Sequence, residues 1–348
     1  MSFQVTIQPS KHQFQVESGQ TVLEAALAAG FVLPYSCRTG ACSTCKGKVI
    51  EGQYEAGPYP AQILAPEELA QGYTLFCQAR PQTDLVVESS EVRLASDIQI
   101  RKLPSRVQAI ERAAPDVVVI RLQLPASEQF RYYAGQYVEI LLKDGARRSY
   151  SMAGAPHTGS PLELHIRHLP GGLFTDHVFG AGPTQMKERE ILRLEGPFGS
   201  FFLREDSDKP IVLLASGTGF APVKAIVEHM IHKQIHRPTV LYWGGRRPRD
   251  LYMDALAQSW TESLPGFRYV PVVSDALQED GWQGRTGYVH EAVIQDLPDL
   301  SGYQVYACGT PLMVDAARRE FSLQCGLPAE EFYADAFTSQ ADLARAAG

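Results

Sequence analysis

Apolar residues alternate with polar ones at the start of the chain, at Phe3, Val5 and Ile7 and again at Phe14 and Val16. A period of two turns one face of each segment toward a core, so the pattern predicts two half-buried strands paired as a hairpin. Thr21 with Glu24 three residues on matches a capping box, and the apolar run from Val22 to Ala29 then predicts a helix ended by Gly30. Leu85-Val86-Val87 reads as a last strand, and Ala95 to Pro104 as a mixed polar linker without strong periodicity.

From Ser105 to about Arg204 strands follow one another. Val117-Val118-Val119-Ile120 precedes Leu122 and Leu124, Tyr137-Val138-Glu139-Ile140-Leu141 follows a Gly-Gln turn, and Leu162, Leu164 and Ile166 alternate strictly with Glu163, His165 and Arg167. This predicts a small antiparallel barrel. From Pro210 the period becomes strand, glycine turn, helix: Ile211 to Ala215 reads as a buried parallel strand, Ser216 to Pro222 as a tight turn and Val223 to His232 as a helix with proline at its start. Val240 to Trp243, Tyr269 to Val273 and Gln304 to Ala307 read as further buried strands, each ending in small or polar residues: Gly244-Gly245, Ser274-Asp275 and Cys308-Gly309-Thr310-Pro311. Ligands of an open α/β sheet bind beyond the carboxyl ends of its strands, so these ends define one crevice. The predicted fold class is multidomain α+β and α/β, divided as residues 1–94, a linker at 95–104, a barrel at 105–206 and an α/β sheet at 207–348.

Composition narrows the function classes. With 348 residues, 45% hydrophobic and 20% charged, the chain reads as two or three ordinary globular domains. The net charge of −7 is spread along the chain, about −3 in residues 1–94 and −4 in the rest, which disfavours nucleic-acid binding. The amino terminus has neither a basic nor an apolar targeting region, and no stretch approaches eighteen uncharged apolar residues, so a soluble, cytoplasmic protein without membrane contact is expected.

Cys37, Cys42, Cys45 and Cys77 carry the spacing C-x4-C-x2-C plus one distant Cys, which is that of plant-type [2Fe–2S] sites. The loop Ser36 to Cys45 is built from small residues and glycine, so its backbone N–H groups can turn toward cluster sulfurs and help set the potential. A structural zinc site usually presents two C-x2-C knuckles, and only one exists here. Zinc is the competing reading, and it implies an interaction protein without redox activity. Six cysteines in 348 residues are too sparse for a disulfide framework. The order strand, strand, helix, Cys loop resembles the β-grasp fold of ferredoxins.

Inside the barrel stands Arg148-Ser149-Tyr150-Ser151. Arginine can hold a phosphate through paired charge-assisted hydrogen bonds, tyrosine can cover a flat ring and serine can hydrogen-bond its edge, which is what a flavin requires. Gly171-Gly172-Leu173-Phe174-Thr175 follows as a turn into a helix start where a second phosphate could be received. In the sheet, Gly217-Thr218-Gly219 would face the pyrophosphate of a dinucleotide, although the turn is not the G-x-G-x-x-G fingerprint.

In this order the four-cysteine domain, R-x-Y-S barrel and G-T-G-x-A-P sheet resemble the ferredoxin–NADP reductase superfamily with a fused amino-terminal [2Fe–2S] ferredoxin, an architecture shared by dioxygenase and monooxygenase reductase components. Gly135-Gln136-Tyr137, Arg147 to Ser151, Ala221-Pro222-Val223-Lys224, Tyr242-Trp243-Gly244 and Tyr333 to Phe337 look most similar to the CDP-6-deoxy-delta-3,4-glucoseen reductases within it. The resemblance implies an enzyme, an NAD(P)H-dependent oxidoreductase passing electrons from NAD(P)H through FAD and the cluster to an acceptor protein, either a deoxysugar dehydratase or an oxygenase component. It implies that Arg148, Tyr150 and Ser151, with Ser149 in their motif, hold the flavin phosphate, ring and N5 edge. Ile166, Arg167, Gly172, Leu173 and Thr175 match the second flavin segment, and Gly217, Thr218, Gly219 and Pro222 the pyrophosphate turn. Gly244 belongs to the same crevice, Cys308 and Gly309 lie beside the nicotinamide, and Asp335 with Phe337 forms the acidic and aromatic carboxy-terminal pair. Eleven residues follow Phe337, and Asp stands where Glu is commoner, so the tail from Thr338 must pass clear of the flavin.

Between NADH and NADPH, Asp275 opposes a 2′-phosphate and favours NADH, while Arg246, Arg247 and Arg249 at the neighbouring strand end could reach such a phosphate. His229, His232 and His236 have helical spacing and read as a solvated or packed face. Glu51, Glu55, Glu67 and Glu68 read as a solvated acidic surface, and Cys325, beside the helix-ending Gly326, has no assignable task.

Overall fold

The computed structural model describes residues 2–59, 63–89, 91–94 and 98–338. Two compact units result: Met1–Asp97 with Gly199–Phe201 and Ala334–Gly348, and Ile98–Phe198 with Phe202–Tyr333.

In the first unit the expected hairpin pairs Ser2–Gln8 with Gln13–Glu17, setting Val5 opposite Phe14 and Phe3 opposite Val16. The helix Val22–Ala28 opens on Thr21, whose hydroxyl accepts from the Glu24 amide while the Glu24 carboxylate accepts from the Thr21 amide, the reciprocal capping expected from their spacing. Leu85–Glu88 runs parallel beside the first strand and antiparallel to Lys46–Glu51, which pairs in turn with Tyr73–Leu75. Val5, Ile7, Phe14, Val16, Leu23, Leu75 and Val87 form the buried side of this sheet against the helix.

The second unit holds the barrel and the parallel sheet together. Six antiparallel strands run in the spatial order Arg147–Ser151, Tyr137–Leu141, Ile191–Phe198, Arg101–Ala114, Val117–Gln123 and Leu162–Arg167. The two outer strands meet through a bridge between Met152 and Leu164, and the Ala153 amide donates to the Glu163 carbonyl at 2.8 Å, so the sheet closes on itself. Leu103, Val107, Val118, Ile120, Val138, Ile140, Leu164 and Ile166 fill the interior. Arg101 to Pro104, inside the segment expected to be a linker, already belong to a barrel strand; residues 95–97 of that segment lie outside the described residues.

The parallel sheet has the order Arg285–Thr286, Phe267–Val273, Thr239–Gly245, Ile211–Ser216 and Gln304–Gly309. The chain starts in the middle, at Ile211–Ser216, builds outward on one side and then returns to the other. The gap between Ile211–Ser216 and Gln304–Gly309 is therefore the topological switch point, where α/β sheets bind ligands. The helix after the glycine turn spans Phe220–Lys233, three residues earlier than expected, because Gly217–Gly219 already forms a 3₁₀ turn that feeds it. His236 falls beyond that helix, which ends where Gln234 takes a left-handed conformation with φ of 55°. Phe267–Val273 is less buried than its apolar run suggested, since its outer neighbour pairs only with Val272 and Val273. This leaves Pro271, which has no N–H to give, on an open edge. No helix among the described residues is long and apolar enough to cross a membrane.

Leu164 is fully buried at the seam of the barrel. Leu164→Ala is expected to cost about 2–5 kcal/mol, measured as a lower urea midpoint of the purified protein; an unchanged midpoint would show that the seam carries no packing energy.

Candidate functional site

The four-cysteine loop is shaped by backbone conformations that few residues adopt. Arg38 and Ser43 have φ of 59° and 53°, and Gly40 has φ of 83° with Gln78, Tyr59 and Pro58 close around its Cα. The result turns amides inward. The Cys37 amide donates to Cys42 Sγ and the Thr39 amide to Cys37 Sγ, both at 3.4 Å, and the Gln78 side chain donates to Cys77 Sγ at 3.6 Å. The thiols are drawn together in two pairs: Cys42 donates to Cys37, lowering the pKa of Cys37 and raising its own, and Cys45 does the same to Cys77. Two thiol pairs suit a centre with two irons, each taking two ligands. Next to Cys37, the Ser36 hydroxyl donates to the Asp335 carboxylate at 2.5 Å.

In the barrel, Arg148 and Tyr150 face the same way as their cross-strand partners Ile140 and Val138, while Ser149 and Ser151 face the other. The Tyr150 ring packs on Phe174 with centroids 5.5 Å apart, tying this strand to the helix Leu173–Phe179, and burial pushes its hydroxyl pKa well up. Arg148 remains partly exposed and donates to the Arg147 carbonyl at 2.8 Å. Gly172 is needed where it stands, because a Cβ would lie 2.6 Å from Thr175 Oγ1 and 2.8 Å from the Leu169 carbonyl. The Thr175 hydroxyl is spent inside that turn, donating to the Leu169 carbonyl at 2.8 Å, so its visible task is to hold the turn. Ile166 is barrel core and Leu173 is exposed on the helix.

At the switch point two strand ends touch. A Cβ on Gly219 would sit 2.1 Å from the Cys308 carbonyl oxygen, and one on Gly309, where φ is 143°, 2.1 Å from Ser216 Oγ. The Thr310 amide donates to the same Ser216 oxygen at 3.1 Å. Trp243 donates its indole N–H to the Gly217 carbonyl at 3.0 Å and stacks on Phe220 at 3.9 Å, fixing the turn from below. Arg167, expected among the flavin residues, reaches the nucleotide turn: its guanidinium lies where a Cβ on Gly217 would be, 2.6 Å from Nη1. Its Nη2 is buried and has no hydrogen-bond partner among the described residues, while Nε lies 3.2 Å from Asp116. A buried donor packed against a glycine turn fits an anionic group such as a pyrophosphate. Thr218 and Pro222 sit in the turn and the first helical turn, and Cys308 is fully buried beside Ala215. Gly244 packs against Val289, 3.0 Å from where its Cβ would be.

A buried polar network joins barrel and sheet. The Lys224 ammonium lies 3.1 Å from Glu163 and 2.8 Å from Glu228, and donates to the Ala153 carbonyl at 3.3 Å. His165 lies 3.1 Å from Glu163 through Nε2 and 2.8 Å from the Tyr252 hydroxyl through Nδ1. Burial lowers the His165 pKa, so the ring is neutral, and the network assigns the proton to Nε2, with Tyr252 donating to Nδ1. Burial alone would raise the Glu163 pKa, but the hydrogen bond from His165 and the charge of Lys224 outweigh it and bring the carboxyl to about 2. None of these five side chains is singled out for function by the sequence, although Lys224 in an apolar helix pattern is a usable signal.

Asp335 and the half-buried Phe337 belong to or adjoin the strand end in the first unit, whereas Ser151 and Cys308 lie in the second. Residues 339–348 of the expected tail lie outside the described residues. His229 is buried and bonded to Glu205 at 2.9 Å, and the exposed His232 stacks on the exposed His157 at 3.7 Å. Glu68 is paired with Lys46 at 2.6 Å, while Glu51, Glu55 and Glu67 are exposed.

Residues 5–82 match the 2Fe-2S iron-sulfur cluster binding domain family, residues 104–203 the oxidoreductase FAD-binding domain family and residues 213–319 the oxidoreductase NAD-binding domain family. The chain is 39% identical over 337 residues to the CDP-6-deoxy-L-threo-D-glycero-4-hexulose-3-dehydrase reductase of Yersinia pseudotuberculosis serotype I (strain IP32953), covering 97% of this chain and 99% of that one. It is 35% identical over 339 residues to terephthalate 1,2-dioxygenase, reductase component 2, of Comamonas sp, covering 97% and 98%. Among solved structures, the Amycolatopsis cytochrome P450 reductase GcoB superposes with a TM-score of 0.77 at 35% identity, over 97% of this chain and 99% of that one.

Gly219→Ala is expected to force the two strand ends apart, so binding to an immobilised adenine dinucleotide should fall at least tenfold; retention at the parent level would refute the close-contact argument. Glu163 has a depressed folded-state pKa, so its stabilisation is full above the ordinary value of 4.5 and is lost as pH falls toward about 2. Glu163→Gln should therefore lower the urea midpoint at pH 7, and its deficit against the parent should shrink below about pH 4.5. A deficit independent of pH would rule out the carboxylate as its source.

Proposed function

Because the chain belongs to the family of NAD(P)H-dependent iron–sulfur flavoprotein reductases with a fused [2Fe–2S] domain, we propose that its acceptor is a deoxysugar dehydratase acting on a sugar nucleotide, and that NADH is its donor. The observation that carries the acceptor is the 39% identity to the hexulose-3-dehydrase reductase over nearly the whole of both chains, against 35% for the dioxygenase component. When bound, the flavin accepts the two electrons of a nicotinamide hydride and releases them singly to the cluster.

Within this reading the ferredoxin-type domain is residues 1–94, the flavin barrel 105–206 and the nucleotide-binding domain 207–348, and each site residue has a task. Cys37, Cys42, Cys45 and Cys77 hold the cluster, and the inward amides of Cys37 and Thr39 tune it by hydrogen bonds to sulfur. Arg148 offers a partly exposed guanidinium to the flavin phosphate, Tyr150 presents its ring from a fixed position on Phe174, and Ser151 hydrogen-bonds the reactive edge. The Gly217-Thr218-Gly219 turn and Arg167 receive the dinucleotide pyrophosphate. Cys308 and Gly309 shape the floor beneath the nicotinamide, with Cys308 a contact rather than a covalent nucleophile. Asp335 with Phe337 completes the proposed set from the carboxy-terminal strand. Asp275 is exposed at the strand end and supports the NADH preference.

The test is reconstitution. The purified holoenzyme with NADH should support turnover by a CDP-hexulose dehydratase and give little with an aromatic-ring dioxygenase; the reverse result would assign the protein to oxygenase chemistry. Cys77→Ser is expected to abolish the reduced-cluster signal in electron paramagnetic resonance and electron delivery to the acceptor, while NADH still bleaches the flavin. Loss of flavin reduction as well would sink the modular reading.

A further inference from the structure

Three arginines stand at the carboxyl end of the strand Thr239–Gly245, where a fork of guanidinium donors could grip a ribose 2′-phosphate. One of them is already occupied. Arg247 binds Asp280 side-on, with Nε 2.6 Å from Oδ2 and Nη2 2.8 Å from Oδ1, and Nη2 lies a further 3.2 Å from Glu279. Both partners of the fork are shielded, with 21% of the Arg247 side chain and 17% of the Asp280 side chain exposed. Asp280 also accepts from the Leu277 amide at 2.9 Å, so the carboxylate is held by the loop that carries it.

The same loop is anchored at its other end. The Ser274 amide donates to the Gly245 carbonyl at 2.9 Å and the Asp275 amide to the Arg246 carbonyl at 2.8 Å, extending the sheet contact past its last strand residues. The Asp250 carboxylate, buried, accepts from the amides of Arg246 and Arg247 at 3.0 and 3.2 Å and fixes where both side chains leave the backbone. Arg247 thus leaves from a fixed point into a carboxylate that satisfies its fork, beside an exposed Asp275. Arg246 is 67% exposed and its nearest acid, Asp250, is 3.5 Å away.

We propose that Asp280 is a specificity-determining residue: by engaging Arg247 it withholds that guanidinium from a 2′-phosphate, so the strand end selects the unphosphorylated dinucleotide. This rests on the NADH reading above. A dianionic phosphate would have to displace a paired, shielded carboxylate, whereas a 2′-hydroxyl needs only an acceptor, which Asp275 supplies.

The experiment compares the parent holoenzyme with Asp280→Asn and with Asp280→Asn/Arg247→Leu. Two quantities are read: the NADPH-to-NADH ratio of kcat/KM, and the affinity of the holoenzyme for 2′,5′-ADP relative to 5′-ADP by calorimetry. Asp280→Asn should raise both at least tenfold, chiefly through the KM for NADPH, and the double variant should return both to the parent level. If Asp280→Asn leaves both within twofold, or weakens NADH binding without any gain for 2′,5′-ADP, the proposal is overturned and the pair merely buttresses the loop. Arg247→Leu alone provides the check should Asp280→Asn fold poorly: an unchanged ratio is expected, and a fallen one would show that Arg247 was never withheld. A parent that prefers NADPH would instead refute the NADH reading, which is a separate outcome.

Discussion

Everything at the nucleotide edge of the second unit depends on one close approach between main chains. Gly219 meets the Cys308 carbonyl, and Gly309 meets Ser216, at distances that leave no room for a Cβ on either glycine. Because the two strands diverge in connectivity at this point, the helix Phe220–Lys233 is aimed from the middle of the sheet, and the turn before it stays open above. Trp243 closes the turn from below by holding the Gly217 carbonyl. Within the turn the Phe220 amide donates to the Gly217 carbonyl, which leads the chain directly into the helix.

The barrel is tied to this edge by charge rather than by apolar packing alone. Lys224, Glu163, His165 and Tyr252 come from three separated stretches of chain, and each satisfies another's buried polar atoms. Taking such groups from water costs several kcal/mol per ion, so a network of this kind adds little net stability over an apolar contact of equal shape. What it does supply is geometry: each hydrogen bond has a direction, and Lys224 reaches Ala153, two residues past Ser151. The proposed flavin edge and the proposed pyrophosphate turn are held in register by the same ammonium group.

Local features were the most legible in the sequence. The Thr21–Glu24 cap and the alternation of the barrel strands depend on residues within a few positions of one another, and each lies where it was expected. What alternation leaves out is the covering of each face: His165 and Glu163 alternate with the apolar residues of their strand, and the sheet covers part of the barrel's outer face, leaving the His165 side chain without exposed surface. A period of two separates the faces without telling what covers each of them. Pro271 shows the converse, an apolar strand residue tolerated because the neighbouring strand is only two residues long.

Arg167 and Arg247 illustrate how the same side chain can be prepared for opposite ends. Arg247 has its fork filled by Asp280 and a further contact to Glu279, so its charge is answered within the protein. Arg167 faces a single aspartate through Nε and keeps Nη2 buried without a partner among the described residues, its guanidinium filling the place a Cβ on Gly217 would take. A buried guanidinium nitrogen left in that state costs free energy unless something arrives to accept from it. On the reading proposed above, the deficit at Arg167 and its absence at Arg247 divide the crevice, with an unsatisfied donor beside the Gly217 turn and a satisfied fork at Arg247. How each arginine is partnered is something that a count of arginines along the chain does not reveal.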